Sequence, residues 1–97
     1  SGNDKPRLGI SAQDTEDDKG VKIVNIDDDD SPAAKAGLKE DDIITQVNGK
    51  AITSTEDLKE SLKDVKKGDT VKITYKRNNQ IQTANVKIPK DLKTIDL

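Results

Sequence analysis

Apolar residues in this chain never run longer than two in a row. A membrane-spanning helix needs about twenty consecutive apolar residues, so no stretch here has that character. A core has to be assembled from single side chains delivered by alternating or helical spacing. The supply is short: 30% of the residues are hydrophobic and 37% are charged. With 97 residues there is room for one domain, and a chain of this size buries roughly 65% of the surface its unfolded form exposes. The core is expected to be small, with nearly every apolar residue in use.

The chain has no His and no Cys. A Ser-His-Asp triad, a Cys-His dyad and a Cys/His zinc site are therefore excluded within it. No serine stands in a recognisable activating context for a serine–lysine dyad. The acidic run Asp27 to Asp30 lacks the spacing and terminal Glu of a calcium-binding loop and reads as a solvated turn. The expectation is a noncatalytic chain with no metal and no cofactor. Tyr75 is the single aromatic residue, which disfavours recognition of bases by stacking. Seventeen basic residues against nineteen acidic ones leave a net charge of −2, without the basic stripe of a nucleic-acid partner. Residues Ser1 to Pro6 are polar and start without Met. They are expected to be a disordered expression remnant on a piece of a longer protein.

Local signals then divide the chain. Leu8-Gly9-Ile10 is the first apolar cluster, extended as a short strand by Ser11-Ala12-Gln13, and Asp14 to Gly20 reads as a charged loop. Val21 to Ile26 is rich in β-branched residues and reads as a strand. Ser31-Pro32 is a helix start, Ala33 to Ala36 one short helix, and Gly37 its stop. Ile43 to Val47 is a strand that ends in the hairpin signal Asn48-Gly49, with Ala51-Ile52 resuming after it. Ser54 to Lys63 is the best helix: either Ser54 with Asp57 or Thr53 with Glu56 supplies a capping box, and Leu58 and Leu62 share a face. Thr70 to Tyr75 alternates as a strand, Asn78-Asn79 turns the chain, and Ile81 to Ile88 returns before Pro89.

In this order the parts resemble a PDZ domain. Arg7-Leu8-Gly9-Ile10 resembles the family's carboxylate-binding loop, and Ser31 to Leu38 its short-helix signature. Asp42 to Gly49 resembles its most recognisable strand and hairpin, and Thr55 to Lys63 its groove helix. The resemblance covers about residues 7 to 88. Only six residues precede Arg7, too few for a full strand plus loop, so Ile81 to Ile88 is expected to supply the missing strand. That permuted order is similar to the PDZ domains of bacterial HtrA/Deg (Do-like) serine proteases. The implied fold is α+β: a small, partly open antiparallel β-barrel of five to six strands with two helices, completed by the C-terminal strand. The domain is expected over residues 7–89, with residues 90–97 as a tail. One departure is Asp41, where the family has Gly; if the position needs positive φ, Asp tolerates it with some strain.

The resemblance implies a noncatalytic module that captures extended C-terminal peptides by strand addition. The amides of Leu8, Gly9 and Ile10 would receive the terminal carboxylate, and Ile10-Ser11-Ala12 would be the pairing edge. Leu8, Ile10, Ala12 and Leu62 would line the pocket for the last side chain, a roomy one that takes Leu, Phe or Val. Leu58 would point into the core. Thr55 replaces the His of many relatives, while Arg7 and Lys59 would favour acidic groups on the peptide. The expected partners are C-termini of unfolded or signalling proteins and a neighbouring protease domain in the parent chain. The family points to the bacterial cell envelope or periplasm, with no membrane insertion by this segment. The alternative is an assembly module whose groove is filled by its own tail, ending Ile95-Asp96-Leu97, or by a partner domain.

Overall fold

The computed structural model describes residues 7–90 and 94–97; the expected disorder of residues 1–6 lies outside them. Six strands and two helices follow one another: β1 (Ile10–Asp14), β2 (Val21–Ile26), α1 (Pro32–Lys35), β3 (Ile43–Val47), β4 (Lys50–Ala51), α2 (Thr55–Leu62), β5 (Thr70–Arg77) and β6 (Gln80–Lys87). All pairings are antiparallel, in the order β1-β2-β3-β5-β6, with β4 beside β3. The expected open antiparallel sheet with two helices is what forms, and β6 completes it at the edge opposite β1.

Alternation does the packing that apolar runs cannot. Along β5, Val71, Ile73 and Tyr75 are buried while Lys72 and Lys76 face water. Ala84 and Val86 answer from β6, Val21 and Ile23 from β2, and Ile44 and Val47 from β3. Ala33 of α1 and Leu58 of α2 close the same core.

The turns follow local chemistry. Ser31 caps α1 by accepting from the Ala34 N–H (3.2 Å), with Pro32 at the first helical position. Of the two caps considered for α2, the one on Ser54 forms, with Asp57 N–H donating to its Oγ (3.1 Å). The Asp57 carboxylate reaches one residue further back, to the N–H and hydroxyl of Thr53. Asn78 and Asn79 take φ of +52° and +63°, a tight two-residue turn that lets pairing run to Arg77 and Gln80, beyond the expected strand ends. Asp41 takes φ of +74°, the left-handed conformation its position demands, and its N–H donates to the Ile23 carbonyl (2.8 Å).

Two long-range contacts depart from the reading of the sequence. Asp14 belongs to β1, not to the loop that follows. Asp42 is 1% exposed and is gripped by Arg77, whose Nε and Nη2 donate to its two carboxylate oxygens at 2.8 Å each. Arg77 Nη2 also donates to the Gly37 carbonyl (2.8 Å), and the Lys39 N–H to Asp42 Oδ2 (2.8 Å). Every Asp42 oxygen is thus satisfied, as a buried carboxylate requires. The hydrogen bonds to Asp42 push the Arg77 guanidinium above its ordinary pKa. The clamp ties the C-terminal turn of α1 to the end of β5.

Candidate functional site

The site starts at the loop before β1. Gly9 sits at φ +82°, and a Cβ there would lie 2.5 Å from the Cβ of Ser31. Only glycine fits both the conformation and the close approach. The Leu8 carbonyl accepts from the Ala33 N–H (2.9 Å) and the Gly9 carbonyl from the Asp27 N–H (2.8 Å). The loop is therefore fastened to α1 on one side and to the end of β2 on the other. Leu8 is buried, so its side chain anchors the loop in the core.

The next residues form a free edge. In an antiparallel ladder the N–H and C=O of one residue point to the same side, and successive residues alternate. Gly9 turns its carbonyl toward β2, so Ile10, paired with Ile26, turns its backbone groups away from β2. Among the described residues β1 has no strand on that side. The register shift between Ser11 and Ala12 leaves Val24 of β2 without a partner, so the extra residue is on β2 and β1 keeps its alternation. Ile10, Ala12 and Asp14 thus present the open edge.

Helix α2 lies alongside. Its first amide, the Thr55 N–H, donates to Asp14 Oδ1 across 2.6 Å. Between β1 and α2 runs a cleft of about 450 Å³. The nine residues singled out in the sequence, Arg7, Leu8, Gly9, Ile10, Ser11, Ala12, Thr55, Lys59 and Leu62, all line it. Ile10, Ala12 and Leu62 are half-buried against the core, while Arg7, Ser11 and Lys59 are exposed.

Four lining residues were missed: Asp27, Leu58, Val65 and Ile88. Leu58 was expected only in the core; at 6% exposed it serves the core and the cleft floor together. Val65 was signalled by spacing, because 58, 62 and 65 continue one helical stripe past the end of α2. Ile88 had no such signal. It is buried and held by reciprocal bonds, its N–H to Asp69 and its carbonyl from Gly68.

Chemically, the cleft offers an unpaired backbone edge, an apolar floor and a tight glycine loop at one end. These are the parts needed to hold an extended chain by backbone hydrogen bonds and side-chain pockets. Among the described residues no group of three or more acidic, His or Cys side chains is placed to hold a metal ion.

Comparison with known proteins agrees with this geometry. The family model described as "PDZ domain" matches residues 6–88. A serine protease Do-like HtrA of Lactococcus lactis subsp. cremoris is 46% identical over 65 residues, covering 67% of this chain and 16% of that protein. A probable periplasmic serine endoprotease, DegP-like, of Brucella suis is 39% identical over 72 residues, covering 74% of this chain and 14% of that protein. The chain thus spans about one sixth of these relatives. Among solved structures, the HtrA3 PDZ domain bound to a phage-derived ligand (FGRWV) superposes with a TM-score of 0.73 at 20% identity, covering 86% of this chain and 84% of that one. The serine endoprotease from Yersinia pestis gives a TM-score of 0.73 at 29% identity, over 88% of this chain and 29% of that one.

Proposed function

The chain belongs to the PDZ domain family and is of the HtrA/Deg type, a binding module rather than a catalytic domain; on that premise we propose that its cleft captures the C-terminal ends of extended peptides. The observation that carries the proposal is the unpaired edge of β1 facing α2 across an apolar cleft, with the Gly9 loop at its head. A peptide adds as a further antiparallel strand along Ile10 and Ala12. Its terminal carboxylate meets the amides of Leu8, Gly9 and Ile10, which act as a nest of donors. Its last side chain enters the pocket of Leu8, Ile10, Ala12 and Leu62, extended by Leu58, Val65 and Ile88. The pocket takes Leu, Phe or Val, and the binding is micromolar, about −7 to −8 kcal/mol.

In the parent protein the module binds unfolded or signalling C-termini beside a protease domain, in the bacterial cell envelope. The serine-protease relatives and the periplasmic name of one of them support this reading. The phage-derived ligand of the HtrA3 domain, a short peptide ending in Val, supports the recognition mode. An own-tail plug has less support: residues 94–97 are exposed and none of them lines the cleft.

The test is fluorescence polarisation with labelled peptides that end in Leu, Phe, Val or Gly, each as free acid and as amide. Apolar free acids are expected to bind, with loss of at least about tenfold on amidation, since a charge-assisted hydrogen-bond set is removed. Equal binding of acid and amide, or of Gly-ended peptides, overturns it.

A further inference from the structure

Asp14 is a charged residue on the same edge as the two apolar residues of the cleft floor, and its orientation is fixed by the Thr55 N–H at 2.6 Å. We propose that Asp14 is the specificity determinant at the far end of the groove, and that it selects Lys or Arg at the fifth residue from the end of a bound peptide. This rests on the strand-addition reading above.

The register follows from alternation. If the last peptide residue pairs with Ile10, the third from the end pairs with Ala12 and the fifth with Asp14. Residues directly opposite in an antiparallel pair send their side chains to the same face, close enough to interact. The last side chain then lies over Ile10 in the apolar pocket, and the third from the end over Ala12, beside Thr55. The fifth lies against the Asp14 carboxylate.

The hydrogen bond to Thr55 matters twice. It ties the end of β1 to the start of α2, which fixes the width of the cleft where the peptide leaves it. It also holds the carboxylate in one place, so a passing ammonium or guanidinium meets an ordered charge. Lys59, one turn along α2 from Thr55, is exposed and lines the cleft. It lies nearer the carboxylate loop, whose end of the cleft also carries Arg7 and Asp27, and Asp14 is the anion at the exit, just beyond the lining residues. A bound peptide with its own carboxylate first and a cation four residues upstream matches that polarity.

The experiment uses three free-acid peptides of one sequence that differ only at the fifth residue from the end: Lys, Ala or Glu. Each is titrated into the wild-type domain, D14N and D14A by fluorescence polarisation. D14N keeps an oxygen acceptor for the Thr55 N–H and removes the charge. The wild type is expected to bind the Lys peptide about three- to tenfold more tightly than the Glu peptide, because attraction of Lys and repulsion of Glu, each worth about 1.4- to 5-fold for an exposed cross-strand pair, act together. D14N is expected to lose the preference, binding all three within about twofold of one another, and D14A to weaken all three. Raising the salt is expected to shrink the wild-type preference. If the Ala peptide binds wild type while Lys and Glu peptides bind alike, the assignment of Asp14 is overturned and strand addition stands. A Lys preference that survives in D14N overturns it as well. If no free-acid peptide binds, the strand-addition reading itself is overturned.

Discussion

Replacing Gly9 by Ala separates conformational strain from steric contact, because the fold contains its own control. Gly9 and Gly37 have nearly the same φ, +82° and +89°. A Cβ on Gly37 meets nothing within 4 Å, whereas on Gly9 it meets the Ser31 Cβ at 2.5 Å and its Oγ at 3.2 Å. A positive φ costs an alanine about 1–2 kcal/mol at either site. The alanine also narrows the unfolded ensemble, which offsets about 0.4–1 kcal/mol at both. The clash is additional at Gly9 alone. Ser31 cannot retreat freely, since it caps α1 and its hydroxyl donates to the Asp28 carbonyl (2.9 Å). An overpacked contact of this kind adds about 1–3 kcal/mol. Urea unfolding followed by circular dichroism is expected to place G37A about 1 kcal/mol below wild type. G9A should fall a further 1–3 kcal/mol, roughly 4–24 °C in Tm for a domain of this size. Binding of an apolar free-acid peptide should fall in G9A and persist in G37A. Equal destabilisation of the two variants refutes the packing argument, and wild-type peptide affinity in folded G9A refutes the role of the loop.

Removing Arg77 leaves the Asp42 carboxylate, 1% exposed, without its counter-ion. R77M is expected to cost about 3 kcal/mol in urea unfolding, and R77K to recover only part of it, because an ammonium cannot donate bidentately. Leu58 and Leu62 share the stripe but not the burial, so L58A should lower stability by about 2–4 kcal/mol and weaken peptide binding, while L62A weakens binding with a smaller loss of stability. The Asp57 carboxyl is held below its usual value of 3.8, chiefly by the Thr53 N–H and then by the Thr53 hydroxyl. A depressed carboxyl contributes stability that is complete above the unfolded pKa and lost as pH falls through the folded one. Thermal melts between pH 5 and 2 should therefore show a shallower acid-side fall in D57N than in wild type, and identical slopes refute it.

Every element set by chemistry within a few residues was legible in the sequence. Ser31-Pro32, Asn48-Gly49 and the Ser54 cap act over one to four positions, and the alternation of Val71, Ile73 and Tyr75 needs only the pleat of one strand. The nine cleft residues were reached only through the family resemblance that this order of signals carries, and all nine line the cleft. The misses share a different cause. Asp14 sits in polar local sequence and reads as loop, and nothing in the sequence marks Asp42 as buried, because the burial or engagement of a carboxylate depends on a partner that sequence spacing does not reveal. Thr55 is 41 positions from Asp14, and Arg77 is 35 from Asp42.

Those two carboxylates also explain how a chain so poor in apolar residues keeps a defined cleft. Each wall of the groove is fixed at a point the small core does not reach. Asp14 holds the start of α2 against the end of β1. Arg77 holds Asp42 and the Gly37 carbonyl, which sets the end of α1; the start of the same helix carries Ser31 and Ala33, against which the Gly9 loop is built. A larger core would position helices by burial alone. Here, three charged contacts carry that task, Asp14 with Thr55 and Arg77 with Asp42 and with Gly37, and the first bears directly on the exit of the groove. Stability and peptide selection should accordingly respond to the same charged residues. That coupling would not arise if the helices were held only by the buried apolar side chains.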